Sequence, residues 1–258
     1  MKKDPLISIV VPSYNQGDYL RICLESMVSQ DYLNYEIIVC DGGSTDASAK
    51  IIESYGNAVR ESYSRKDLGQ ADALNWGFSR ARGDVLWWVN SDDVLKPGAL
   101  RLVASSYRPG LVMYAGEVSD FKNGSEVVRV VKQTALIDDN IIPVWRRKGE
   151  WHMPGLSFNA EVWRKFGPLD IEYRYLFDAK FVHRALTESD VTRLGIVLAG
   201  FRLHAESKTV KERFGFHRES LKLWWENKAH YRALDNAHAL FYIGIRVIYG
   251  WAVTCSRL

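Results

Sequence analysis

DVLWWVNSDD, residues Asp84 to Asp93, is a run rich in β-branched and aromatic residues that stops abruptly at two adjacent carboxylates. An apolar run this short, with Gly83 before it and polar residues after it, suits a buried strand of a parallel sheet better than a helix, and predicts a strand over Val85 to Val89. In open α/β sheets ligands bind in the crevice outside the carboxyl ends of the strands, which is where this reading puts Asp92 and Asp93. Pro97 suits the first position of a helix, so the two aspartates are expected in the connector before it rather than at its cap. Two neighbouring carboxylates repel unless something cationic lies beside them. A hard divalent ion with oxygen ligands answers that need, whereas a solvated acidic turn does not use the placement.

The 258 residues suit one large α/β domain or a domain with an appendage, and a hydrophobic content of 47% is ample for a core. Cys23, Cys40 and Cys255 are too scattered for a metal-ligand spacing. An odd, dispersed set points to reduced thiols and a cytoplasmic setting. Lys2 and Lys3 precede an apolar run, Ile7 to Val11, that is too short for a signal peptide, so no export is expected. The formal charge of +3 is unevenly placed, because eight Lys/Arg face four Asp/Glu between Arg202 and Arg232. That bias fits an anionic membrane surface, nucleic acid or a solvated helix face.

Outward from the central strand, the pattern alternates. Strands are expected at Ile7 to Val11, Tyr35 to Cys40 and, more weakly, Val59 to Tyr63, and helices at Gly17 to Gln30, from Thr45 or Asp46 to about Tyr55, and at Gly69 to Ala81. With right-handed crossovers this β-α-β-α-β-α-β order makes a parallel sheet with helices on both faces. The strand-end loops hold neither G-x-G-x-x-G nor G-x-x-x-x-G-K-[ST], which removes most of the weight from dehydrogenase and P-loop readings. Instead, Tyr14 can stack on a base, Asp41 can accept from a base ring nitrogen, and Gly42-Gly43 lets the backbone approach closely. Each alone is an ordinary turn residue, and it is the convergence of three such loops on one sheet edge that suggests a site.

The set PSYN (12–15), CDGGSTD (40–46), DLGQADALNWGF (67–78) and NSDD (90–93) resembles glycosyltransferase family 2, the inverting, sugar-nucleotide-dependent transferases of the GT-A fold, in both order and spacing. The resemblance covers roughly residues 6 to 208. It implies a catalytic domain over 1–208, with a donor-binding half at 6–106 and an acceptor-side half at 107–208; beyond it, a helical extension is expected at 209–258. It further implies that Pro12, Tyr14, Asn15 and Asp41 line the nucleoside site and that Gln70, Asp72 and Asn75 approach the ribose and diphosphate. Asp92 and Asp93 match the family's D-x-D-like pair, Asp93 as the more direct ligand of Mn²⁺ or Mg²⁺ and Asp92 nearer the ribose. Gly42 departs from the pattern, since many relatives carry a second aspartate there.

Past the pair, Leu111 to Phe121 and Val127 to Lys132 read as a hairpin around residues 122–125, Ile141 to Met153 as irregular, and helices are expected at Glu161 to Phe166 and Asp178 to Leu186. Asp178 matches the family's catalytic base, and the chemistry has a use for it: inverting transfer needs an acceptor hydroxyl to lose its proton while it attacks the anomeric carbon. Capping its own helix is the plainer use of the same residue. The common Glu-Asp pair is altered here by Phe177, and Lys180 stands where an acid often follows, which suggests a contact with an anionic acceptor or a donor-binding protein that has lost catalysis. After a strand at Val191 to Leu203, the resemblance gives His204 a place near the metal and diphosphate, and Lys208 can neutralise phosphate.

The implied function is transfer of a sugar from a UDP-, dTDP- or GDP-linked donor to a glycan or lipid-linked glycan, of the kind used in bacterial cell-surface assembly. A sugar-phosphate nucleotidyltransferase would want a glycine- and arginine-rich first loop in place of Pro12 to Asn15, and a processive synthase would carry Gln-x-x-Arg-Trp. No nucleic-acid partner is expected. The tail Ala239 to Val253, ALFYIGIRVIYGWAV, falls short of the ~20 apolar residues a spanning helix needs. Two readings stand for it: peripheral contact at the inner face of the cytoplasmic membrane, or packing on the domain or a second subunit of a homodimer.

Overall fold

The computed structural model describes residues 4–122, 126–136, 150–204 and 213–227. Expectations for Lys208, for the hairpin tip at 123–125, for most of the 141–153 stretch and for the tail at 239–253 lie outside them.

Strand β1 (Ile7–Ser13), helix α1 (Gly17–Val28), β2 (Tyr35–Asp41), α2 (Ser48–Ser54), β3 (Val59–Ser64), α3 (Gln70–Arg80) and β4 (Val85–Trp88) follow the expected alternation. A two-residue strand, β5 (Val94–Leu95), then precedes α4 (Ala99–Ser106). The second half holds β6 (Val112–Phe121), β7 (Val127–Val131), β8 (Leu156–Asn159), α5 (Ala160–Phe166), α6 (Phe177–Leu186), β9 (Asp190–Arg202) and α7 (Arg213–Asn227). The sheet order is β3-β2-β1-β4-β8-β6-β9-β5, with β7 on β6. The first four strands are parallel. Beyond β4 the sheet is mixed, since β8 is antiparallel to β4 and β6 while β6 and β9 run parallel. The strand order reverses between β1 and β4, so the crevice outside their carboxyl ends is the topological switch point.

Alternation along the strands builds two cores, one on each face. Ile9, Val11, Val85 and Trp87 bury against α1, α2 and α4 with Leu20, Leu24 and Leu100. Val10, Leu86 and Trp88 face the other way, among Leu74, Phe78, Phe158, Phe177 and Phe181. Gly77 lets α3 lie directly on the sheet, because a Cβ there would collide with Val10 and Cys40. Leu223 and Trp224 of α7 are buried in this second core too, so that helix is packed on the acceptor-side half.

Two local expectations are corrected and one choice is resolved. Pro97 does not open α4; Gly98, with φ 78°, precedes the first helical residue, Ala99. The connector instead forms β5, too short to leave a period in the sequence, which pairs antiparallel with β9 (Val94 with Gly200). Of Thr45 and Asp46, it is Asp46 that accepts from the N–H of Ser48 at the start of α2, at 2.9 Å. Among the described residues no helix is long and apolar enough to cross a membrane.

Candidate active site

The end of β4 is a knot of side-chain hydrogen bonds centred on Asn90. Its Oδ1 accepts from Gln70 Nε2 and from Trp88 Nε1, each at 2.7 Å, and its Nδ2 donates to Asp93 Oδ2 at 3.2 Å. The β5–β9 pairing brings Arg202 alongside, where its main-chain N–H donates to Asp93 Oδ1 at 3.2 Å and its Nε to the Asp92 carbonyl at 3.0 Å. The Arg202 guanidinium lies between the rings of Tyr19 and Phe121, 4.9 and 4.5 Å from their centroids. Asp92 has partners of its own: its Oδ2 accepts from Gln16 Nε2 at 3.2 Å and lies 2.9 Å from His204 Nε2. The His204 side chain is buried, and its Nδ1 has no hydrogen-bond partner among the described residues.

Charge accumulates here. Asp93 is only 1% exposed. Burial, then the neighbouring Asp92 carboxylate, pushes its pKa well above the ordinary range, against the opposing hydrogen bonds from Arg202 and Asn90. The Cys23 thiol under the connector is pushed up by burial and by the same two carboxylates. Such a place favours a cation. Among the described residues no three His, Cys, Asp or Glu side chains form a ready-made metal cluster. Small divalent ions are nevertheless commonly held by one or two carboxylates, with substrate phosphates and water completing the shell. Two carboxylates and an imidazole with an unpartnered buried nitrogen fit that chemistry.

The nucleoside-side loops are laced to one another and to the knot. Asn15, in the left-handed region at φ 50°, receives the Thr45 N–H on its Oδ1 at 2.8 Å and donates its own N–H to Ser44 Oγ at 2.7 Å. A side-chain amide tolerates this conformation better than a branched residue would. Pro12 is buried, and its carbonyl accepts from the Ser91 N–H at 3.3 Å, while Tyr14 stands 61% exposed with its ring free to stack. Asp41 is fully buried: its carboxylate accepts the Ser44 N–H at 3.1 Å and the hydroxyls of Ser44 and Ser64, so it shapes the loop from beneath. Asp72 accepts the Leu68 N–H at 3.1 Å and orders the turn before α3.

On the acceptor side, Asp178 is half-buried in the first turn of α6 and its Oδ1 accepts the Ala179 N–H at 2.7 Å. Phe177, beside it, stacks on Trp88 with centroids 5.4 Å apart and planes 15° apart. Trp88 in turn donates to Asn90, so the start of α6 is tied to the end of β4.

Two residues expected near a ligand have partners within the chain. Asn75 engages the Leu169 main chain through both ends of its amide, at 2.9 and 2.8 Å, joining α3 to the loop before α6. Lys180 is held between Asp170 and Glu226, at 2.8 Å each, so its ammonium already has two carboxylates of its own chain beside it. Its neighbour Asp170 is pushed up by burial, yet the Lys180 ammonium and the Glu172 N–H outweigh this and hold it below the ordinary value. Gln16, Asn90 and Arg202 belong to the site although the sequence did not single them out. Asn90 stood within the quoted NSDD, and only the Gln16 and Arg202 contacts, which join distant segments, lacked any local signal.

A family-wide sequence profile, Glycosyl transferase family 2, matches residues 8–156. The glycosyltransferase GlyG of Streptococcus pneumoniae is 45% identical over 94 residues, 35% of this chain and 31% of that protein. An uncharacterised glycosyltransferase of Nostoc is 26% identical over 209 residues, 77% of this chain and 65% of that protein. This chain thus spans less than two thirds of either relative. Among solved structures, that of S. aureus TarS with UDP-GlcNAc aligns at TM-score 0.64 and 17% identity, covering 84% of this chain and 66% of that one. The mannosyltransferase PcManGT of Pyrobaculum calidifontis, with GDP-Man and Mn²⁺, aligns at TM-score 0.65 and 15% identity, covering 98% and 75%. Likeness at such identities speaks to the fold, which is the GT-A fold. With a profile match over more than half its length, laid on a sheet whose switch point gathers the matched motifs, the chain belongs to glycosyl transferase family 2.

Proposed function

We propose that this chain transfers a sugar, with inversion, from a nucleotide-diphosphate donor to a hydroxyl of a glycan or lipid-linked glycan, and that the transfer depends on Mn²⁺ or Mg²⁺. The observation that carries this reading is the position of Asp92 and Asp93 just past β4 at the switch point, on a strand whose Trp88 stacks on Phe177, the residue before Asp178. Asp93, Asp92 and His204 would hold the ion, which when bound neutralises charge on the leaving diphosphate. Tyr14 offers a stacking face to the base, with Pro12, Asn15 and Asp41 shaping the loops around it. Gln70 and Asp72 stand at the start of α3, whose N-terminal partial charge favours phosphate.

Asp178 takes the proton of the acceptor hydroxyl as its oxygen attacks the anomeric carbon. The bond from that carbon to the diphosphate oxygen breaks on the opposite face, which inverts the centre. Neither Asp170, paired with Lys180, nor Lys180 itself competes for this role. UDP- and GDP-sugars are the first donors to try, since TarS was solved with UDP-GlcNAc and PcManGT with GDP-Man and Mn²⁺. Lys208 is proposed at the diphosphate, and the basic stretch that begins near it is proposed to favour an acceptor presented at the cytoplasmic face of a membrane.

The test is a thermal-shift and nucleotide-release panel of UDP-, dTDP- and GDP-sugars with and without Mn²⁺, since a ligand that binds only the folded state raises apparent stability by mass action. Metal-dependent stabilisation with nucleotide release supports the reading. Stabilisation without release, even with candidate acceptors, would indicate a donor-binding protein without catalysis.

A further inference from the structure

Helix α7 reaches the segment that leads into α6 through one carboxylate. Glu219 Oε1 accepts the Arg174 N–H at 2.6 Å, and Oε2 accepts the N–H groups of Tyr175 and Leu176 at 2.8 and 2.9 Å. These are three consecutive main-chain donors just before α6, and Leu176 is the residue that precedes its first turn. Arg174 and Tyr175 lie ahead of the helix and Leu176 is its N-cap, so the helix itself offers these N–H groups no acceptor. A carboxylate placed there is also favoured by the helix dipole. The rest of α7 grips the same segment. Lys222 pairs with Glu172 at 3.1 Å, Lys180 with Glu226 at 2.8 Å, and Leu223 and Trp224 are buried beneath. Glu219, Lys222 and Glu226 are spaced to share one helix face.

We propose that Glu219 is a positioning residue for the glycosyl transfer: it fixes the backbone of residues 174–176 so that Asp178, two residues on, presents its carboxylate to the acceptor. This rests on the reading of Asp178 as the base. Glu219 touches neither substrate nor metal in this scheme and acts only through the geometry of α6's start. Misplacing a reacting group by about 1 Å can cost on the order of 10² in rate.

Glu219→Gln keeps the side chain's volume but leaves an NH₂ facing N–H donors. Hydrolysis of whichever of UDP-N-acetylglucosamine and GDP-mannose the unaltered enzyme cleaves faster with Mn²⁺, water serving as acceptor, is expected to fall roughly 10- to 100-fold in kcat. The KM for donor and the thermal shift given by UDP with Mn²⁺ are expected to stay unchanged. Lys222→Ala, which removes a neighbouring ion pair of the same helix, should stay within about threefold. The discriminating measurement is a double-mutant cycle, in which Glu219→Gln adds no further loss on an Asp178→Asn background. Additive losses, or a kcat left intact while Asp178→Asn is crippled, would overturn the inference alone. Normal turnover in Asp178→Asn, or no hydrolysis of either donor by the unaltered enzyme, would sink the base reading and this inference with it. Should Glu219→Gln fail to show the UDP shift, amide exchange in the unliganded variant decides: faster exchange confined to residues 174–176 sustains the local role, and exchange spread across β4 and the core contradicts it.

Discussion

Replacing Asn90 by alanine should dismantle the knot at the end of β4 at a cost far above that of an ordinary polar substitution. Three side-chain hydrogen bonds disappear, and their partners fare differently. Trp88 is 3% exposed and Asp93 1%, so neither the indole N–H nor the carboxylate recovers its lost partner from bulk water. Leaving a buried group unsatisfied costs about 1–3 kcal/mol. Gln70 is half-buried and its amide can rehydrate, so that bond contributes little. The total is about 3–5 kcal/mol, which for a chain of this size lowers Tm by roughly 10 °C. The control is Gln70→Ala, which removes the bond to Asn90 and leaves Trp88 and Asp93 served; its loss should be about 1 kcal/mol. Urea unfolding of both variants, read at the midpoint with unchanged slope, gives the comparison. Equal midpoints for the two variants, or a loss under about 1 kcal/mol for Asn90→Ala, would refute the view that Asn90 is the common partner of Trp88 and Asp93.

Asp178→Asn should keep donor affinity, measured by UDP thermal shift, and lower turnover by about 10²–10⁴, the reach of general-base catalysis. Asp46 should make the first two loops acid-sensitive. Burial pushes its carboxyl up, but the hydrogen bonds it accepts from Ser48 and the Gly17 N–H outweigh this and hold it below the ordinary carboxylate value. A depressed folded-state pKa stabilises above the unfolded value of about 3.9 and loses that contribution as pH falls through the folded one. The stability gap between the unaltered protein and Asp46→Asn should therefore be constant at neutral pH and close below about pH 4 in acid titrations followed by circular dichroism.

How far the sequence spoke depended on whether a feature was local. β4 was legible because an apolar run with sharp polar ends needs no partner to be recognised, and the parallel strands β1 to β3 followed from alternation with helical periods. β5 was not legible: two residues carry no period, and the strand exists only because β9 lies beside it. The same gap hid Arg202, whose contact with Asp93 follows from that pairing across 109 positions. Family motifs placed Asp92, Asp93 and Gln70 together. They could not show that Asp41 is sealed under its loop by Ser44 and Ser64, or that Asn75 spends its amide on the Leu169 backbone, because hydrogen-bond allocation is decided in three dimensions. Lys180 looked free for an anion for the same reason; Asp170 and Glu226 come from before and well after it in the chain.

Titrating UDP binding against Mn²⁺ in the unaltered protein and in Asp93→Ala, by calorimetry at constant pH, tests whether the carboxylate pair outside β4 links metal to nucleotide. Binding in the unaltered protein should tighten with Mn²⁺, and Asp93→Ala should abolish that metal-dependent part while the metal-free affinity persists. The same Mn²⁺ dependence in both proteins would contradict the assignment.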